Sequence, residues 1–91
     1  MPDLEPKPWK VYIIQTKSDK LYTGITNDLE RRFNEHQLQK KGARFFNLSC
    51  PEKIVFCESH INRSYASKRE AEIKKMKRKD KLFLIHSTTL I

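Results

Sequence analysis

Residues 9–28 read WKVYIIQTKSDKLYTGITND, and this stretch decides the fold. Trp9 to Gln15 is β-branched and aromatic, the composition of a strand. Thr16-Lys17-Ser18-Asp19 is polar and predicts a turn, and Lys20 to Thr26 predicts a second strand. Residues 9–26 therefore read as a β-hairpin. Alternation puts Val11 and Ile13 on one face of the first strand and Tyr12 and Ile14 on the other. On the second strand Tyr22 and Gly24 share a face, so pairing can set Tyr12 and Tyr22 side by side. Gly24 carries no side chain, which suits a close approach of something to the backbone.

Working outward, Thr26, Asn27 and Asp28 are good N-cap residues for a helix running to about Lys40, ahead of Gly42. Residues 43–52 read as a loop ending at Pro51. Lys53 to Ser59 predicts a third strand. Asn62 or Ser64 caps a second helix reaching about Lys77. A last helix from Asp80 to about His86 is expected to offer Leu82, Phe83 and Ile85 to the core. Residues 1–8 hold three of the four prolines and read as a flexible lead-in. Residues 87–91 read as a tail, which leaves one domain over 9–86. The order β-β-α-β-α-α predicts an α+β fold: a three-stranded, largely antiparallel sheet with packed helices.

The 91 residues allow one modest core. Nineteen Lys+Arg against eleven Asp+Glu give a net charge of +8. Nine of the basic residues fall within 63–81: Arg63, Lys68, Arg69, Lys74, Lys75, Lys77, Arg78, Lys79 and Lys81. A second cluster, Lys40, Lys41 and Arg44, surrounds Gly42. Clustered cations release counterions from a phosphate backbone, so a nucleic-acid partner is expected. DNA and RNA satisfy this charge equally. No apolar run approaches the roughly 18 residues of a membrane span. No charged-then-apolar leader opens the chain, so a cytoplasmic location without a membrane partner is expected. Two cysteines rule out a disulfide scaffold. Cys50, Cys57 and His60 lack the spacing of a zinc knuckle, and the thiols are expected to be buried and free.

Two polar residues stand where apolar ones belong. At 100° per residue, His36 falls in the stripe of Leu29 and Phe33, with Arg32 one turn before it. On the second helix Glu70 borders the stripe of Ala66 and Ile73, whereas Glu72 points elsewhere. A carboxylate near a core is paired, protonated or metal-bound. The plain alternatives are a core-edge histidine and a salt bridge from Glu70 to Arg32 or Lys74. If the groups converge, two phenols, an imidazole, a guanidinium and a carboxylate suit phosphodiester hydrolysis.

At these residues the sequence resembles the GIY-YIG nuclease superfamily. Lys10-Val11-Tyr12 stands for the first signature and Tyr22-Thr23-Gly24 for the second. Arg32-Phe33-Asn34-Glu35-His36 resembles the family's Arg-x-x-x-His helix, and Lys41-Gly42-Ala43-Arg44 its basic glycine turn. Ala66 to Lys74 resembles the helix bearing the family's glutamate. The similarity is greatest to the small, stand-alone bacterial branch and to the catalytic domain of a structure-selective Holliday-junction nuclease subunit. The resemblance implies a DNA endonuclease using Mg²⁺ or Mn²⁺ held by Glu70. Arg32 would contact the scissile phosphate, and Tyr12, Tyr22 or His36 would activate water. Gly24, Lys41, Arg44, Lys68, Lys74 and Lys75 would contact nucleic acid. Lys10 and Thr23 replace a signature glycine and isoleucine, and Ile25 stands where other branches carry lysine. The last change favours a larger part for His36. Relatives often borrow specificity from a second domain, so a protein partner would supply it here. The alternatives are a non-catalytic nucleic-acid-binding module on the same fold and a scaffold domain with no nucleic acid. Trp9 is expected in the core, while Phe45 and Phe46 suit either packing or base stacking.

Overall fold

The computed structural model describes residues 8–39 and 50–88. The hairpin forms as β1 (Trp9–Thr16) and β2 (Leu21–Thr26), followed by α1 (Leu29–Gln39). Then come β3 (Pro51–His60), α2 (Arg63–Lys75) and α3 (Arg78–Thr88). The sheet order is β2-β1-β3, and both pairings are antiparallel. The expected α+β fold and element order therefore hold. Lys41, Gly42, Arg44, Phe45 and Phe46 lie outside the described residues.

The turn between β1 and β2 is held from within. Thr16 Oγ1 accepts from the Lys20 amide at 3.0 Å. Asp19 takes a left-handed φ of 68°, which a short polar side chain tolerates. Its carboxylate accepts from Gln15 Nε2 and pairs with Arg78 at 3.2 Å, tying the turn to the start of α3.

Strand β1 is central, and both of its faces are covered. Val11 and Ile13 join Phe56, Ala66, Ile73 and Ile85 in the larger core, beneath α2 and α3. Tyr12 and Ile14 pack on the opposite face with Tyr22, Leu29 and Phe33, beneath α1. The period-two reading of the hairpin and the 3.6-residue reading of α1 thus meet in one layer. Trp9 packs against the larger core as expected, with the Arg63 guanidinium 5.4 Å from its ring centre.

Three expectations need correction. Phe83 is 74% exposed and not a core residue. It lies 200° around the helix from buried Ile85, so the two cannot face the same way. Cys50 and Cys57 are both exposed, not buried. Cys57 lies on edge strand β3, opposite Tyr12 of β1, and Ser59, two residues further on, is exposed as well. The last two helices meet earlier than expected: α2 ends at Lys75, Met76 is extended, and α3 starts at Arg78. Met76 turns into the larger core at that break.

Candidate active site

Helix α1 positions two of the polar side chains. The Asp28 carboxylate accepts from the Arg31 amide at 3.3 Å, capping the first turn. Arg32 and His36 then stand one turn apart, and His36 is 0% exposed. Its Nε2 lies 3.3 Å from the Tyr12 hydroxyl, which comes from the centre of the sheet. Tyr22 meets His36 edge-on at 5.7 Å and Tyr12 at 6.3 Å between ring centres. The hairpin and α1 therefore bring Tyr12, Tyr22, Arg32 and His36 together.

Gly24 completes this cluster from below. A Cβ built there would stand 2.6 Å from the Tyr12 hydroxyl oxygen and 2.8 Å from the ring carbon bearing it. The group that approaches the Gly24 backbone is thus the Tyr12 phenol.

Electrostatics set the state of Tyr12. Its pKa is pushed up to about 12, mainly by burial, then by the neighbouring Tyr22 phenol. The hydrogen bond and charge of Arg32 act the other way, and the Glu70 charge adds to the rise. Tyr12 is consequently a neutral phenol at physiological pH. Burial works to lower the Arg32 pKa, but its bonds to Glu35 and Tyr12 outweigh that and raise it. Arg32 is held by Glu35 at 3.0 Å, not by Glu70.

Glu70 comes from α2, whose buried Ala66 and Ile73 pack on the far face of the sheet. It is 22% exposed and pairs with Lys74 at 3.2 Å, the plainer of the two alternatives raised by the sequence. Glu72 points away, 63% exposed, and pairs with Arg69. Among the described residues no group of three metal-ligating side chains forms. One half-buried carboxylate still fits Mg²⁺ or Mn²⁺, since such an ion keeps waters and takes phosphate oxygens. It does not fit an ion that needs an all-protein cage.

Of the remaining cations, Lys68 sits over the Tyr65 ring at 5.8 Å, and Lys75 is exposed. One network escaped the sequence reading. Glu58 on β3 accepts from Arg69 Nε at 2.9 Å and lies 2.9 Å from His60 Nε2, while Arg69 also donates to Glu72 at 3.0 Å. The Arg69–Glu72 and Arg32–Glu35 pairs carry an i,i+3 signal. The Arg69–Glu58 contact joins two elements and leaves none.

Residues 8–82 match the GIY-YIG catalytic domain. The UPF0213 protein of Desulfotalea psychrophila is 43% identical over 82% of this chain and 68% of its own length. The UPF0213 protein YhbQ of Escherichia coli is 38% identical over 86% of this chain and 77% of its own. The solution NMR structure of a UPF0213 protein from Bacillus halodurans superposes with a TM-score of 0.58 at 30% identity. That likeness covers 89% of this chain and 85% of the other. The chain belongs to the GIY-YIG family, a family of nucleases, as one of its small UPF0213 members.

Proposed function

We propose that the protein is a divalent-metal-dependent endonuclease that hydrolyses phosphodiester bonds in DNA, with branched or distorted DNA as its target. The observation that carries this reading is the Tyr12–His36 contact at 3.3 Å, with Arg32 and the Glu70 charge at the same phenol.

Glu70 would hold Mg²⁺ or Mn²⁺, which supplies positive charge to the phosphate oxygens. Arg32 neutralises charge developing on the same phosphate. Tyr12, protonated at neutral pH, is no base by itself. It accepts a proton from the attacking water only as its own proton passes to His36 Nε2. Oxygen of that water bonds to phosphorus, the bond to the leaving sugar oxygen breaks, and solvent returns a proton to that oxygen. Tyr22 packs against both partners and fixes their rings. Lys41, Arg44, Lys68, Lys74 and Lys75 are proposed contacts to nucleic acid, with a protein partner contributing to substrate choice and the cytoplasm as the site of action. Gly24, expected among these contacts, is instead buried beneath the Tyr12 phenol and makes room for that ring.

The test sets wild type beside Glu70→Gln on linear, nicked, flapped and four-way DNA and on single-stranded RNA, with Mg²⁺, Mn²⁺ or EDTA. Metal-dependent cutting by wild type alone is expected, with binding retained by the variant. Normal cutting by a folded Glu70→Gln protein would remove the carboxylate from the mechanism. A second reading, a binding module without turnover, is favoured by the Lys74 ammonium that already occupies Glu70. Salt-sensitive binding with no cutting by wild type selects that reading.

A further inference from the structure

Two shallow grooves join along the outer edge of β2. The one beside the cluster has a volume of about 290 Å³ and is lined by Leu21, Tyr22, Thr23, Lys74 and Lys81. The next has a volume of about 240 Å³ and is lined by Lys20, Leu21, Arg78 and Lys81. Leu21 and Lys81 line both, so the two adjoin, and together they are called the trough. It starts at Tyr22, inside the candidate active site, and ends at the β1–β2 turn.

The lining has four cations and no carboxylate. Two of the cations have assigned partners: Lys74 holds Glu70, and Arg78 holds Asp19, both at 3.2 Å. Lys20 and Lys81 make no ion pair among the described residues. They come from different elements, the hairpin turn and α3, yet converge on one groove. Three further lysines nearby, Lys75, Lys77 and Lys79, line neither groove. The trough is therefore not simply the wet face of a basic helix. The aliphatic residue common to both grooves is Leu21, on edge strand β2.

We infer that this trough seats the nucleic-acid strand on one side of the scissile phosphate, with Lys81 and Lys20 on two of its phosphates and Leu21 against the sugars. The inference rests on the nuclease reading of the Tyr12–Glu70 site, which fixes where the scissile phosphate lies. Contacts of this kind go to the backbone, so they position the strand without reading its sequence. They also act on one flank only, because the trough leaves Tyr22 in a single direction.

The test compares wild type, Lys20→Gln/Lys81→Gln and Lys77→Gln/Lys79→Gln, all checked for fold by circular dichroism. Glutamine keeps most of the aliphatic stem, so the packing of half-buried Lys81 survives. Binding of flapped and linear DNA is followed by fluorescence anisotropy across a salt series. Cleavage is followed on substrates trimmed to the scissile bond on one flank or the other. For the trough variant, the slope of log affinity against log salt should fall by about 1.4 to 1.8, two phosphates' worth. The Lys77/Lys79 variant should move it clearly less. Trimming one flank should erase the cleavage difference between wild type and the trough variant, and trimming the other should preserve it. Equal slopes in the two double variants, or indifference to which flank is trimmed, would overturn the trough. A reduced slope in a protein that never cuts would leave the trough standing and remove the nuclease reading. Absence of salt-dependent binding by wild type would overturn both.

Discussion

The Tyr12 phenol occupies the space that a side chain at Gly24 would need, with 2.6 Å between its oxygen and a Cβ placed there. Tyr12 is 1% exposed, and its rigid ring has nowhere to retreat. Gly24→Ala should therefore destabilise the fold by about 1–3 kcal/mol, the usual range for overpacking. Cleavage should fall further than stability, because the displaced group is the hydroxyl. Thermal melts of Gly24→Ala, Tyr12→Ala and the double variant check this. The double variant should melt above the sum of the two separate losses, whereas strict additivity would mean that the clash is absent.

Tyr12 should titrate late. The difference between the alkaline absorbance titrations of wild type and Tyr12→Phe isolates this phenol, and its step should centre near 12. Because the folded pKa lies above the free value of about 10, the folded chain keeps its proton longer than the unfolded one. The stability from this group is full below pH 10 and is lost as the pH rises from 10 towards 12. Tyr12→Phe should also lower cleavage by about 100-fold or more, a typical value for losing a proton-transfer group. A difference step at 10 would show that the phenol is not buried as described.

Thr23 Oγ1 is buried and has no hydrogen-bond partner among the described residues. Thr23 pairs with Ile13, so its side chain faces the larger core. Thr23→Val keeps the shape and removes the lone hydroxyl. A gain of about 1 kcal/mol in urea unfolding is expected, from the cost of an unsatisfied buried group. A loss instead would reveal that the hydroxyl is satisfied.

Arg69 ties α2 to β3 through Glu58, one residue before Glu70. The pair is partly exposed, so Arg69→Leu should cost only about 1 kcal/mol of stability or less. Its larger effect should fall on turnover, by roughly tenfold, because Glu70 loses its fixed approach. Binding of DNA should change little, so kcat falls while KM stays. Arg69→Lys should restore part of the rate by keeping one of the two ion pairs. A fall in KM-dependent binding with kcat intact would make Arg69 a nucleic-acid contact instead.

The hairpin and most of the cluster were legible because their signals are local. Period-two alternation placed Tyr12 and Tyr22 together, and helical spacing placed His36 inward. The edge of Glu70 was legible for the same reason. The sequence bounds β3 at 53–59 because Pro51 reads as the end of a loop, whereas the folded strand runs from Pro51, opposite Thr16, to His60, and carries two irregularities, at Glu52 and Val55. The break at Met76 lies in a lysine-rich run that looks the same on both sides. The Glu58–Arg69 contact spans eleven residues and two elements, and the crowding of Gly24 by Tyr12 depends on register across strands. Such facts exist only once the chain is folded.

Strand β1 has no wet side, and this limits how the chain can change over evolutionary time. Its odd residues build one core and its even residues the other, so a single inserted or deleted residue within it would trade them. Ile13 would take the seat of Tyr12, and a phenol would be driven among the aliphatic side chains beneath α2 and α3. The proton-handling layer and the mechanical layer would fail in the same step. Length variation among descendants of this chain is therefore expected at the Lys17–Lys20 turn and not inside β1, where each position is counted from both sides.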